Sequence, residues 1–252
     1  MVKYKHAARL AWLLAHATLA QLVERPPCKR MVVGSSPTGG SIFLSKNRVV
    51  KIIVFDTETT GLPSSQLALH EQPYICQFGA LLIECDMTAR TLREVERVDQ
   101  LVRPAVPIPT ECTDIHGISD EMVAQSPLFA DYADMLVGLF HRADIAVAHN
   151  LSFDQSIIEY ELARLGRSKK FLPEQLFDTM TSTKHLCRLP GRHGNYKSPT
   201  LMELHEFLFQ KGFDGAHNAM GDVLATARCM QELLKRGIFQ PVEPTSSQTS
   251  LF

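Results

Sequence analysis

The sequence predicts an α/β domain, a meander of three strands followed by helices and two further short strands, and three observations predict it. Between residues 49 and 104 three β-branched, apolar runs follow one another with short links, which gives an antiparallel meander. Helical stripes closed by glycine then alternate with two shorter apolar runs. A chain of 252 residues, 45% hydrophobic and 21% charged, is long enough for one well-buried core.

The first strand is "VVKIIVFDTE" (49–58), an apolar run that ends in two carboxylates. "YICQFGALLIE" (74–84) is the second, and "LREVERVDQLVRP" (92–104) alternates enough for a third that stops at Pro104. "SPLFADYADMLVGLFHRA" (126–143) predicts a helix with Ser126 as its N-cap, Pro127 in its first turn and a stripe of Leu128, Tyr132, Met135, Leu136, Leu139 and Phe140. "IAVAHN" (145–150) is a short strand, and "SFDQSIIEYELARLG" (152–166) a helix stopped by Gly166. "LFDTM" (176–180) reads as an edge strand and "TKHLC" (183–187) as a helix. The last two helices lie in "PTLMELHEFLFQKG" (199–212) and "MGDVLATARCMQELLKRG" (220–237), closed by Gly212 and Gly237.

Both ends differ from this core. Residues 1–48 hold an apolar stretch too short, and too broken by His16, to span a membrane. "AQLVER" (20–25) and "VGSSPT" (33–38) back-translate into sequences that resemble the D-arm and T-arm of a transfer-RNA gene. The expectation is therefore a spurious extension, with Val49 or Val50 as the true start, or else a disordered arm rich in Gly and Ser. Residues 49–239 are the domain, and 240–252 form a Pro- and Ser-rich flexible tail.

A net charge of -1 excludes a general attraction to polyanions, so any nucleic-acid contact must be local. Six scattered cysteines without a C-x-x-C pair exclude a zinc knuckle and a disulfide framework. A reducing cytoplasm suits them.

Residues two apart on a strand share a face, so Asp56 and Glu58 sit side by side. Like charges held that close raise at least one pKa unless a cation lies between them, and the pair therefore asks for a metal. "HNLSFD" places Asp154 in the first turn of a helix that follows a strand, and "HNAMGD" places Asp222 at the start of the last helix. His217 lies five residues before Asp222, which is not a same-face helical spacing, so it belongs to the loop entering that helix. Alone, Asp56 and Glu58 equally suit a solvated strand end; in register with Asp154, His217 and Asp222 they do not. Gly221, just before Asp222, is expected to loosen that helix's first turn and shift the ligand.

"DTETTG", "HNLSFD" and "HNAMGD", in this order, resemble the three motifs of the DEDDh 3′-to-5′ exonuclease family, which includes the proofreading subunit of bacterial replicative polymerase. The resemblance spans roughly Lys51 to Arg236. It implies a ribonuclease-H-like exonuclease fold, a mixed five-stranded sheet of antiparallel meander plus parallel strands flanked by helices. It also implies two divalent ions, Mg²⁺ or Mn²⁺, suited to hard carboxylate oxygens. By that resemblance Asp56, Glu58 and Asp222 bind the ion nearer the nucleophile, Asp56 bridges to the second, Asp154 supports it, and His217 takes the proton of the attacking water. Thr57, Thr60, Gly61, His116, Asn150 and Phe153 match substrate-side positions.

Phe153 is equally a core residue by its position, and His116 and His149 are equally structural. "KHLCRLPGRHGNYK" (184–197) makes a local positive patch of Lys184, Arg188, Arg192 and Lys197 around Tyr196, or a solvated loop. The tail ends in "QTSLF", whose Gln248, Leu251 and Phe252 resemble the peptide by which bacterial proteins dock on the DNA sliding clamp. The expected activity is release of nucleoside 5′-monophosphates from single-stranded or frayed DNA 3′ ends, in proofreading or repair, alone or with a polymerase subunit. The rivals are an exoribonuclease on the same fold and a non-catalytic clamp-binding adaptor.

Overall fold

The computed structural model describes residues 49–242. The expected N-terminal extension and the clamp-like peptide lie outside the described residues. Strands β1 (Val49–Thr59), β2 (Ile75–Asp86) and β3 (Thr91–Leu101) form the meander, and β4 (Ile145–Ala148) and β5 (Gln175–Asp178) complete a sheet of order β3-β2-β1-β4-β5. The meander pairs are antiparallel, and β1–β4 and β4–β5 are parallel. The mixed five-stranded sheet is thus the one expected.

β2 is covered on both faces, which is why its sequence is a nearly unbroken apolar run. β3 alternates between exposed and half-buried residues, as an edge strand with one wet face does. Helices α1 (Thr110–His116), α2 (Asp120–Val123) and α3 (Phe129–His141) precede β4. Helix α4 (Leu151–Arg164) follows it, then α5 (Thr179–Cys187), α6 (Leu201–Phe209) and α7 (Ala219–Lys235) follow β5.

The two-residue period of β1 divides the core. Ile53 and Phe55 face α3 and α4, where Phe55 meets Phe140 edge-on at 4.8 Å between ring centres and Phe140 meets Phe171 at 4.9 Å. Val50, Ile52 and Val54 face the opposite layer, packing with Leu204 of α6 and with Val223, Met230 and Leu233 of α7. Beyond Phe55 the same alternation carries polar residues: Asp56 and Glu58 continue the α7 face, and Thr57 the α4 face.

Three local expectations change. Helix α3 starts at Phe129, and Ser126 is not its cap, because the Arg103 N–H donates to Pro127 O (2.9 Å) and Leu128 bridges to Arg103, holding the segment extended. Helix α6 closes at Gln210, with a left-handed φ of 58°, not at Gly212. The chain has by then folded back: His205 Nδ1 donates to Lys211 O (2.8 Å), and Gly212 lies so close to Met202 that a Cβ would stand 3.0 Å from its Sδ. Gly221 does not loosen α7. A Cβ there would lie 2.2 Å from Gly215 O, so its hydrogen is what lets the preceding loop close onto the helix.

Candidate active site

The two helix layers converge at the C-terminal end of β1. β1 pairs with β4 only through Ile52, Ile53 and Val54, so its last residues project past β4 with one backbone edge open. The Lys51 carbonyl faces the β4 side, accepting from the Asp144 N–H (2.8 Å), and strand alternation turns the Thr57 N–H the same way. Asp154 supplies the acceptor that β4 no longer provides. Its Oδ1 takes the Thr57 N–H (2.9 Å) and the Thr57 hydroxyl (2.7 Å), two charge-assisted bonds that fix the carboxylate behind the strand end.

Asp222 arrives from the other layer. Asn218 caps α7, its side chain accepting from the Gly221 N–H (3.2 Å), and Asp222 follows in the first turn. One carboxylate oxygen from each of Asp56, Glu58 and Asp222 lies within 4.8 Å of the others. Asp154 does not join that trio, although it is close enough to raise the Asp56 pKa. His217 lies on the loop before α7 with φ 62°, and its N–H donates to Asp222 Oδ2 (3.2 Å).

The electrostatics follow from burial without a cation. Asp56 is held well above the usual carboxylate range, first by burial and then by Asp154, Asp222 and Glu58. Glu58 is pushed up to about 8 by burial, then by Asp222 and Asp154. Asp154 rises to about 7 by burial, against the Thr57 hydrogen bonds, and Asp222 to about 6 by burial, against the His217 N–H and imidazole. Among the described residues no lysine or arginine forms an ion pair with any of the four. Converging hard-oxygen donors that repel one another and lack a resident cation fit a divalent metal ion.

The substrate-side candidates spread around this cradle. Thr57 spends both donors on Asp154, and the Thr60 hydroxyl accepts from the Tyr74 N–H (2.9 Å). Thr60 and Gly61 open onto a cavity of about 320 Å³ lined also by Leu62, Tyr74 and Val106. The His116 ring is buried; Nδ1 accepts from the Ile118 N–H (3.1 Å), which leaves Nε2 as the donor to Thr59 O (3.3 Å) and ties α1 to the end of β1. Asn150 takes a left-handed φ of 73° in the turn between β4 and α4, with its N–H on Asp178 Oδ1 (3.0 Å). Phe153 packs half-buried against the aromatic core. In the basic stretch, Lys197 is ion-paired with Glu203.

Residues that sequence reasoning passed over hold the cradle together. Gly79, opposite Asp56 on β2, would put a Cβ 2.8 Å from the Ala219 carbonyl carbon, so only glycine lets α7 approach the sheet this closely. Gln77, opposite Glu58, hydrogen-bonds the start of α7. The signal available was a polar residue and a glycine inside the otherwise apolar run of β2.

Comparison with known proteins places this chain among exonucleases. The family model described as Exonuclease, RNase_T, matches residues 53–230. The DNA polymerase III subunit epsilon of Salmonella typhimurium is 31% identical over 152 residues, 58% of this chain and 58% of that one, so the chain spans less than two thirds of that relative's length. A protein named Uncharacterized exonuclease CP81, from Escherichia phage 186, is 30% identical over 192 residues, 73% of this chain and 89% of that one. Among solved structures, the nuclease domain of 3′hExo, described as a DEDDh family member bound to rAMP, shares the fold with a TM-score of 0.60 at 14% identity, over 79% of this chain and 99% of that one.

Proposed function

The chain belongs to the DEDDh 3′-to-5′ exonuclease family, and from that premise we propose that it hydrolyses the terminal phosphodiester of single-stranded or frayed DNA 3′ ends and releases nucleoside 5′-monophosphates in proofreading or repair. The observation that carries this reading is the approach of one carboxylate oxygen from each of Asp56, Glu58 and Asp222 within 4.8 Å of the others at the end of β1, with no lysine or arginine partner among the described residues.

In this reading Asp56, Glu58 and Asp222 would hold one Mg²⁺ or Mn²⁺ ion, and Asp154 with Asp56 would hold the other. When bound, such ions supply Lewis-acid stabilisation of the attacking and leaving oxygens. His217, on the loop beside Asp222, takes the proton of the attacking water on a ring nitrogen as the oxygen bonds to phosphorus and the bond to the 3′ oxygen of the preceding nucleotide breaks, that oxygen taking a proton from solvent to become the new 3′ hydroxyl. Thr57 keeps Asp154 in place. The neutral His116 ring fixes the end of β1 beneath the substrate, and Thr60, Gly61, Asn150 and Phe153 border the path of the terminal nucleotide. Stacking at about 1 to 3 kcal/mol per base holds a strand end without a basic protein and tolerates any sequence.

Gln248, Leu251 and Phe252 act in this proposal as a tethered peptide for the sliding clamp, which raises the enzyme's effective concentration at replicating DNA. Association with a DNA polymerase subunit and a cytoplasmic site of action belong to the same proposal. Among the described residues no helix is long and apolar enough to cross a membrane.

The test is digestion of matched 3′-labelled and 5′-labelled DNA and RNA oligonucleotides with Mg²⁺, Mn²⁺ or EDTA, alongside Asp56→Ala and His217→Ala. We expect metal-dependent shortening of DNA from the 3′ end that both substitutions abolish. Preference for RNA moves the protein to RNA turnover, and digestion of neither leaves a non-catalytic adaptor. Deleting residues 248–252 should abolish clamp binding measured by surface plasmon resonance and leave digestion of free oligonucleotides unchanged; equal clamp affinity with and without the peptide overturns its assignment.

A further inference from the structure

Gln77 is buried on β2 directly opposite Glu58, and paired residues of an antiparallel ladder share a face, so its side chain lies on the cradle side of the sheet. Its Oε1 accepts from the Ala219 N–H (3.1 Å) and from the Asn218 side-chain amide (3.2 Å). Its Nε2 donates to Asp99 Oδ1 (2.7 Å) on β3. Two donors at one end and a carboxylate at the other leave a single orientation for the amide. Asn218 is in turn the residue that caps α7, with His217 just before it and Asp222 in the first turn after it. Among the described residues these are the hydrogen bonds that join the first turn of α7 to the sheet.

We propose that Gln77 is a positioning residue for the hydrolysis proposed above, holding Asp222 and His217 in register with Asp56 and Glu58 through the Ala219 N–H and the Asn218 amide. The proposal rests on the nuclease reading of the cradle. Alanine at this position removes both hydrogen bonds between the helix start and the sheet and leaves that start to the packing of Met220 and Val223 and the close approach at Gly79. Glutamate keeps the two acceptor contacts but sets a second carboxylate against Asp99 and adds negative charge beside Glu58, so the amide is the group that both accepts and donates here without charging the cradle.

The experiment uses the full chain and four proteins: wild type, Gln77→Ala, Gln77→Glu, and Gln77→Glu combined with Asp99→Asn, which restores a donor facing position 77. Mn²⁺ affinity is measured without DNA by electron paramagnetic resonance, kcat and KM on a single-stranded oligonucleotide with Mg²⁺, and folding by thermal melting. We expect Gln77→Ala to lose about tenfold or more in Mn²⁺ affinity and in kcat, as supporting residues around metal ligands do, with KM for DNA changed less than about twofold. Gln77→Glu should lose as much, and the added Asp99→Asn should recover most of it. Mn²⁺ affinity and kcat within about twofold of wild type in Gln77→Ala, or a double variant no better than Gln77→Glu, overturn the proposal. Should Gln77→Ala not fold, the comparison between Gln77→Glu and the double variant decides. A wild-type protein that neither binds Mn²⁺ nor digests DNA sinks the nuclease reading and this proposal together, whereas an active wild type beside an indifferent Gln77→Ala sinks this proposal alone.

Discussion

Two buried acidic sites lie on the flanks of the same sheet, and their surroundings are opposite. Glu161 of α4 has a partner for each oxygen: Oε1 takes the Ile75 N–H (3.0 Å) and Oε2 the Arg164 guanidinium (3.1 Å). That guanidinium lies over the Tyr74 ring at 3.6 Å and donates to the Leu69 and Pro73 carbonyls, so one internal ion pair staples the segment between β1 and β2. Asp56, Glu58 and Asp222 bring their oxygens within 4.8 Å of one another, and among the described residues no lysine or arginine pairs with them. The chain thus pairs a buried carboxylate with its own cation where it needs structure, and leaves the cradle carboxylates without a cationic side chain where, in the proposed function, the cation comes from outside.

The largest expected effect would break the comparison if it failed. Glu161→Ala strands a mostly buried guanidinium and should lower stability by about 3 kcal/mol. Asp56→Asn should do the reverse in metal-free protein, raising the melting temperature by removing first the cost of burying a carboxylate and then its repulsion by the neighbouring acids. Thermal and urea unfolding in EDTA measure both, and shifts in the same direction would mean that the two sites are electrostatically alike.

A smaller effect separates packing from charge. Gly221→Ala places a methyl group against Gly215 O and should cost about 1 to 3 kcal/mol by overpacking, while displacing the turn that carries Asp222 and reducing nuclease activity. Urea unfolding beside a digestion assay reads both, and an unchanged protein would mean that the loop before α7 yields freely.

The dependence on pH sharpens the electrostatic side. Between its ordinary value of 4.5 and about 8, Glu58 holds a proton in the folded state that the unfolded chain has released. Folded protein then binds more protons than unfolded, so metal-free stability falls as pH rises through that window. Asp154 at about 7 and Asp222 at about 6 add to the same slope. Saturating Mg²⁺ should flatten it by removing the repulsion that the protons relieve, and a metal-free melting temperature that rises from pH 5 to 8 contradicts the raised values.

The alternation of β1 was legible residue by residue, because a strand's period is set by its own backbone; that is why Asp56 and Glu58 could be read as neighbours. The loop position of His217 was legible for the same local reason. The cap at Ser126, the stop at Gly212 and the supposed looseness at Gly221 were misjudged, and in each case a contact made elsewhere decided the conformation: the bridge from Arg103, the packing of Met202, and the carbonyl of Gly215.

By itself, then, the sequence determined the order of the strands, the helices from α3 onward and the side-by-side placing of Asp56 and Glu58, since those follow from spacing and periodicity along one segment at a time, while Asp154, His217 and Asp222 were joined to that pair by the resemblance of their motifs. Tertiary structure alone decided that Asp154 closes the open edge of β1 through Thr57, that Gly79 and Gly221 admit α7, and that Gln77 joins that helix to the sheet. These contacts couple residues far apart in the chain through distances of a few ångströms, and no local pattern in an amino-acid sequence encodes such a distance until the two faces of the sheet are packed.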